Sequence, residues 1–190
     1  TYPNGEGKKD RRGIASRAIE YLLQACNNGG RNLTLMCNIV EIHGEQVKDL
    51  GRDAPGGRPV LGKKSNSRTN IGSMVLYDNE DLSLYENTMG HILIKDVNNV
   101  IIRKMDDFYT LLACAFKLRQ KNDSKKPYSH RVHTVLTVYI LENPNDNLDY
   151  TNPVATLQFC DLAGCDRAIK HIAEDSNVQT SIAIANSLNC

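Results

Sequence analysis

Leu157-Gln158-Phe159-Cys160-Asp161-Leu162-Ala163-Gly164 is the stretch on which the reading of this chain turns. A run from Val154 to Cys160 is apolar and β-prone, so it reads as a strand. It ends in D-x-x-G. In α/β proteins that bind phosphates, ligands sit beyond the carboxyl ends of the strands. An Asp at such an end can hold a magnesium ion, usually through water. A Gly after it lets a backbone N–H approach a terminal phosphate. Taken alone, the tetrapeptide is equally a strand that ends in a turn, so its neighbours decide.

Upstream, Val135 to Leu141 reads as a second strand, preceded by Ser129-His130-Arg131-Val132-His133 and followed by a turn-rich loop from Asn143 to Asn152. Before it, Asp106 and Asp107 open a helix that runs to Gln120, with Phe108, Leu111, Leu112, Ala115 and Phe116 as its inner face. Lys121 to Lys126 is a polar connection. His91 to Arg103 predicts a hairpin, Ile92-Leu93-Ile94 against Val100-Ile101-Ile102 around Asn98-Asn99. Met74 to Tyr77 and Leu82 to Glu86 are short strand candidates. Gly51 to Ser73 carries five glycines, two prolines and Arg52, Arg58, Lys63, Lys64 and Arg68, which predicts a long exposed loop. Gly44 to Leu50 is expected to hold a short helical turn. Leu33 to His43 lacks breakers and reads as a buried strand. Ile14, Ala18, Ile19, Leu22, Leu23 and Cys26 recur at helical spacing and stop at Asn27-Asn28-Gly29-Gly30. Downstream, a helical pattern begins near Ser176 and is still running at Cys190. Strands alternating with helices predict an α/β class with a largely parallel or mixed sheet.

The 190 residues suffice for one domain with a sizeable core, and 41% hydrophobic with 24% charged residues is ordinary for a globular chain. A net charge of +1 supplies no global field for nucleic acid or an anionic membrane, so any basic contact surface is local. No apolar run is long enough to span a bilayer, and Thr1-Tyr2-Pro3-Asn4-Gly5 does not open like a secretory signal. Six cysteines without a C-x-x-C pair, several in apolar runs, are expected to be buried free thiols in a reducing compartment.

The neighbours of Asp161 then change its meaning. Ser129-His130-Arg131-Val132-His133 and Asp161-Leu162-Ala163-Gly164-Cys165-Asp166-Arg167 resemble the two nucleotide switches of the kinesin family, S-S-R-S-H and D-L-A-G-S-E. In the same order, Val40 to Leu50 is similar to the family's E-I-Y-N-E-x-V-x-D-L-L, and Gly13-Ile14-Ala15-Ser16-Arg17-Ala18 to G-I-I-P-R-A. Thr1-Tyr2 matches the residues just after the family's phosphate loop, and Val178-Gln179-Thr180-Ser181-Ile182 stands where the family has I-N-K-S-L. The resemblance spans almost the whole chain. It implies a kinesin-type P-loop NTPase core, α/β, with a central mixed sheet flanked by helices. Residues 1–190 would be one partial motor domain, incomplete at both ends. It further implies ATP and magnesium as cofactors, tubulin or microtubules as partner, and a cytoplasmic, cytoskeletal location.

Carried over by position, Ser129 and Arg131 belong to the first switch, and Asp161 and Gly164 to the second. Thr1, Ser129 and Asp161 would attend the nucleotide and magnesium, Gly164 the terminal phosphate. Arg131 and Asp166 would latch the switches, since a guanidinium takes a carboxylate through two hydrogen bonds. Lys95, Arg103, Lys104, Lys170 and His171 are the expected microtubule contacts.

The departures point the other way. His130 and Val132 stand where the family has serines, Asp166 replaces a Glu, and Gln179-Thr180 replaces Asn-Lys. Imidazole is a poor magnesium ligand beside a hydroxyl, and valine makes no hydrogen bond. Gly57-Arg58-Pro59-Val60-Leu61-Gly62-Lys63-Lys64-Ser65 imitates a phosphate loop, but Lys64 breaks the G-K-[ST] spacing and Pro59 removes a donor. It is read as a basic surface loop. The expected function is therefore a motor domain whose phosphate loop lies upstream, with a non-hydrolysing microtubule- or partner-binding module as the alternative. His130 and His133 point to opposite faces of a strand, which argues against a zinc site.

Overall fold

The computed structural model describes residues 12–29, 32–58, 82–88, 90, 92–123, 132–142, 151–164, 182 and 185–188. At its centre is β1 (Leu33–His43), an eleven-residue strand in which every residue from Leu35 to Glu41 is buried. A run buried on both faces needs apolar residues in succession, and Leu35-Met36-Cys37 followed by Ile39-Val40 supplies it. On one side of β1 lies β7 (His133–Glu142), antiparallel and paired over ten residues from Leu33↔Glu142 to Ile42↔His133. β8 (Ala155–Asp161) pairs outside β7, ending at Thr134↔Asp161.

The other side of β1 is shared by two strands laid end to end. β2 (Gln46–Asp49) covers Val40 to His43, and β6 (Asn99–Ile102) covers Leu35 to Cys37. β3 (Gly57–Arg58) pairs beyond β6, giving the order β3-β6-β1-β7-β8 with β2 on β1. The expected α/β core with a multi-stranded sheet and flanking helices is present. Strand direction refines the expectation: all pairings among the described strands are antiparallel.

Both described helices pack on one face of this sheet. α1 (Ile14–Asn28) brings Ile19, and α2 (Met105–Asp123) brings Phe108, Leu111, Ala115 and Leu118, onto Leu35, Cys37, Ile39, Val100, Ile102, Leu136 and Val138. The alternation along β1 explains the membership, since odd-numbered residues share this face. Two expected inner-face residues lie outside the core. Ile14 is 74% exposed at the first turn of α1, and Phe116 is 58% exposed, its place on the packed face of α2 taken by Leu118. α2 starts where Asp107 accepts the backbone N–H groups of Arg103 and Lys104, which satisfies donors that a helix start leaves open.

Three further expectations are corrected. Gly44 to Leu50 is not a helical turn but the return of a hairpin, with Gly44 at φ +59° in a two-residue connection between His43 and Gln46. Ile92–Ile94 and Val100–Ile102 do not pair with each other. β5 (Ile92–Ile94) joins β4 (Leu84–Glu86) in a separate two-stranded sheet, while β6 enters the main one. The reason lies at the crossing: Asp96 turns the chain at φ +62°, and the Asn98 N–H donates to Asp49 at 2.7 Å. The Asn98 amide also donates to the carbonyls of Gly51 and Ala54. The predicted loop from Gly51 to Ser73 begins as packed structure: Gly51 and Ala54 are buried, and Gly57–Arg58 is a strand. A Cβ on Gly51 would meet Leu111 Cδ1 at 2.9 Å, so any larger residue in this turn displaces the Leu111 side chain of α2. Residues 59–73 and the candidate strand at 74–77 lie outside the described residues.

Candidate functional site

Antiparallel pairing sets β7's first residues beside β8's last ones. Thr134 faces Asp161, and on β7's other side Glu41 of β1 faces Thr134, so Glu41, Thr134 and Asp161 form one row on one face at the sheet's end. Glu41 is fully buried, whereas Asp161 is exposed. The buried hydroxyl of Thr134 finds no hydrogen-bond partner among the described residues. A carboxylate and a hydroxyl side by side are hard oxygen donors of the kind magnesium takes. Two such donors at this end of the sheet fit a magnesium ion that completes its shell with water.

Past Asp161 the chain turns through Leu162, Ala163 and Gly164. Ala163 is buried and Gly164 exposed. The turn is anchored by His133, which closes the Ser129-to-His133 stretch and to which sequence reading assigns no role beyond a rejected zinc site. Its Nδ1 accepts the Ala163 N–H at 3.1 Å, and its Nε2 lies 2.9 Å from the Ser187 hydroxyl. Both ring nitrogens are therefore engaged by protein groups. The sequence signal that could have found it is position: His133 is the first residue of a strand whose end must abut the D-x-x-G turn if the two strands pair antiparallel. Val132, which stands where the switch motif that this stretch resembles has a serine, is 1% exposed, a setting in which an apolar side chain is stable.

A second polar cluster lies in the Val40-to-Leu50 motif. Asp49 accepts the Gly51 N–H on one oxygen and the Asn98 N–H on the other, both at 2.7 Å. It thereby clamps the end of β2 to the start of β6. Burial pushes its carboxyl up to about 6, against the pull of those two donors and of Arg52. Burial likewise pushes the Cys37 thiol up, which makes it inert. Cys26, Cys37, Cys114 and Cys160 are all free thiols, but Cys160 on β8 is exposed, contrary to expectation.

The remaining expected site residues divide into two groups. Thr1, Ser129, Arg131, Asp166, Lys170 and His171 lie outside the described residues, as does His130. Lys95, Arg103 and Lys104 are exposed, as contact residues must be, but the hairpin expected to join them does not form. Lys95 precedes β6 and Arg103 follows it, so they sit at opposite ends of that strand. Lys104 pairs with Asp106 at 3.5 Å. No helix among the described residues is long and apolar enough to cross a membrane.

With this geometry in place, comparison with known proteins is informative. The family model described as the kinesin motor domain matches residues 1–190. The chain is similar to the kinesin-like protein KIN-5B of Arabidopsis thaliana, 22% identical over 180 residues, covering 93% of this chain and 16% of that protein. It is similar to human kinesin-like protein KIF15, 24% identical over 185 residues, covering 94% of this chain and 12% of that one. Human kinesin-like protein KIF20B is 29% identical over 108 residues, covering 53% and 6%. The chain therefore spans well under a third of the length of these relatives. Among solved structures, that of a fast kinesin superposes with a TM-score of 0.62 at 18% identity, over 94% of this chain and 45% of that one, a likeness of fold.

Proposed function

The chain belongs to the kinesin motor-domain family, and we propose that it forms the switch-bearing part of a motor that couples ATP binding and hydrolysis to microtubule binding. The observation that carries this reading is the D-x-x-G turn, anchored at the end of β8 beside the first residues of β7. Asp161 would hold magnesium, with Thr1, Ser129 and the Thr134 hydroxyl as companion oxygens. The ion supplies charge neutralisation of the phosphates. Gly164 presents backbone to the terminal phosphate, its lack of a side chain permitting close approach. Arg131 and Asp166 close the two switches on each other and orient the attacking water. The work of such a site is positioning and electrostatics rather than covalent chemistry. Lys95, Arg103, Lys104, Lys170 and His171 supply local positive charge to an acidic filament, and the protein resides on the cytoplasmic microtubule cytoskeleton.

A second reading is a motor-like module that docks on microtubules or a partner without hydrolysis. Val132 favours it: a buried valine at this place removes a hydroxyl from the first switch. Microtubule co-sedimentation of the full-length protein separates the two. Strong pelleting with a non-hydrolysable ATP analogue and release by ATP is the outcome expected of a motor. Pelleting indifferent to nucleotide would establish the static module instead, and no pelleting would refute both.

A further inference from the structure

We propose that His133 is a positioning residue that joins the D-x-x-G turn to the helical residues 185–188, so that the two move as one body. The proposal rests on the nucleotide-switch reading of that turn. Three observations carry it. His133 is the first residue of β7 and pairs with Ile42 of β1, so its backbone is fixed to the most buried strand of the sheet. Its Nδ1 accepts the N–H of Ala163, inside the turn, at 3.1 Å. Its other nitrogen meets the Ser187 hydroxyl at 2.9 Å, across 54 residues of sequence.

The donor–acceptor pattern assigns the ring. A nitrogen that accepts carries no proton, so the proton of the imidazole sits on Nε2 and donates to Ser187 Oγ. An imidazole is suited to this because it is rigid and presents an acceptor and a donor on opposite sides. It transmits a displacement between the two groups it touches, where a flexible side chain would absorb it. The hold also divides labour within the turn. Ala163 is buried with its N–H turned to His133, while Gly164, the next residue, is exposed. A ligand that draws Gly164 toward itself strains the Ala163–His133 bond, and through the ring the position of Ser187.

Amide hydrogen exchange on the full-length protein tests this, with wild type, His133→Ala, His133→Asn and Ser187→Ala, each with and without a non-hydrolysable ATP analogue. Without nucleotide, His133→Ala is expected to speed exchange of the Ala163 amide about tenfold, while Met36 and Cys37 in β1 keep their protection, which a general loss of stability would not allow. His133→Asn places an acceptor near the position of Nδ1 and is expected to restore protection of Ala163 without restoring the link to Ser187. Ser187→Ala, at an exposed position, removes the hydroxyl that meets Nε2 and leaves the Ala163–His133 bond in place. In wild type the analogue is expected to change exchange at 163 and at 185–188 together; in Ser187→Ala it changes 163 alone. Unchanged exchange of Ala163 in His133→Ala, or a joint response that survives Ser187→Ala, overturns the proposal. If the analogue does not bind wild type at all, the nucleotide reading fails, and the nucleotide-free exchange of Ala163 still decides whether His133 holds the turn.

Discussion

β1 and β8 lie two strands apart in one sheet and are built to opposite ends. β1 is covered on both faces and hydrogen-bonded along both edges, with seven consecutive buried residues. β8 is paired on one described edge, and six of its seven residues are exposed. Free energy of folding concentrates where apolar area leaves water, at about 25 cal/mol per Å². Asp161 and Gly164, the residues proposed to meet magnesium and phosphate, stand where the chain stays accessible. The strand that stabilises the fold and the strand proposed to carry the site are thus different strands, with β7 as the element between them.

The largest effect expected from that contrast is on stability. Phe108 is fully buried on the helical face of β1, so Phe108→Ala should lower unfolding free energy by about 3–5 kcal/mol. Leu157→Ala on β8, where the side chain is 37% exposed, should cost less than about 1 kcal/mol. Urea denaturation of the two variants checks the difference, and equal losses would break the comparison.

The Asp49 clamp sharpens it, because it stabilises β1's neighbours without any apolar contact. Asp49→Asn sets an amide N–H₂ against a backbone N–H and should cost about 1–3 kcal/mol. It should also change the pH dependence. Burial raises the folded-state carboxyl from its ordinary 3.8 to about 6, so the folded protein binds the proton more readily than the unfolded chain. The stability that this proton brings is fully present below 3.8 and is lost as pH rises through about 6. The wild-type minus Asp49→Asn difference, followed by denaturation from pH 4 to pH 7, should decline over that window and level off above it. A flat difference would mean that Asp49 titrates normally.

Asp161→Asn is the converse case. The side chain is exposed, so unfolding free energy should shift by no more than about 0.5 kcal/mol. If Asp161 holds magnesium through water, nucleotide-dependent activity should fall about 10–100-fold. A variant of normal stability and normal activity would remove Asp161 from the site.

The smallest stability effect belongs to the basic surface. The Lys104–Asp106 pair is exposed on both sides, so Lys104→Ala should change stability by less than about 0.5 kcal/mol. Neutralising Lys95, Arg103, Lys104, Lys170 and His171 together should still weaken salt-sensitive microtubule pelleting. Pelleting that survives all five replacements would place the contact elsewhere.

Local pattern along the chain was enough for several elements. β1 was legible to the residue because an unbroken apolar run has few other uses, and α1, α2 and β7 because their periodicity spans several turns or pleats. The D-x-x-G turn was legible only through its company, since Ser129 to His133 and the other motifs stand in order around it. Pairing and partnership, by contrast, depend on contacts between distant segments. Ile92–Ile94 and Val100–Ile102 are close in sequence and spaced like a hairpin. They part because Asp49, some fifty residues upstream of β6, captures the Asn98 N–H. Phe116 fits the helical period, yet it is the neighbouring elements that leave it in water. His133 has no local signature for its role, since a hydrogen bond to Ala163 and another to Ser187 exist only once antiparallel register has brought three distant segments to one ring. Local propensity is a property of neighbours in the chain; a site is a property of neighbours in space.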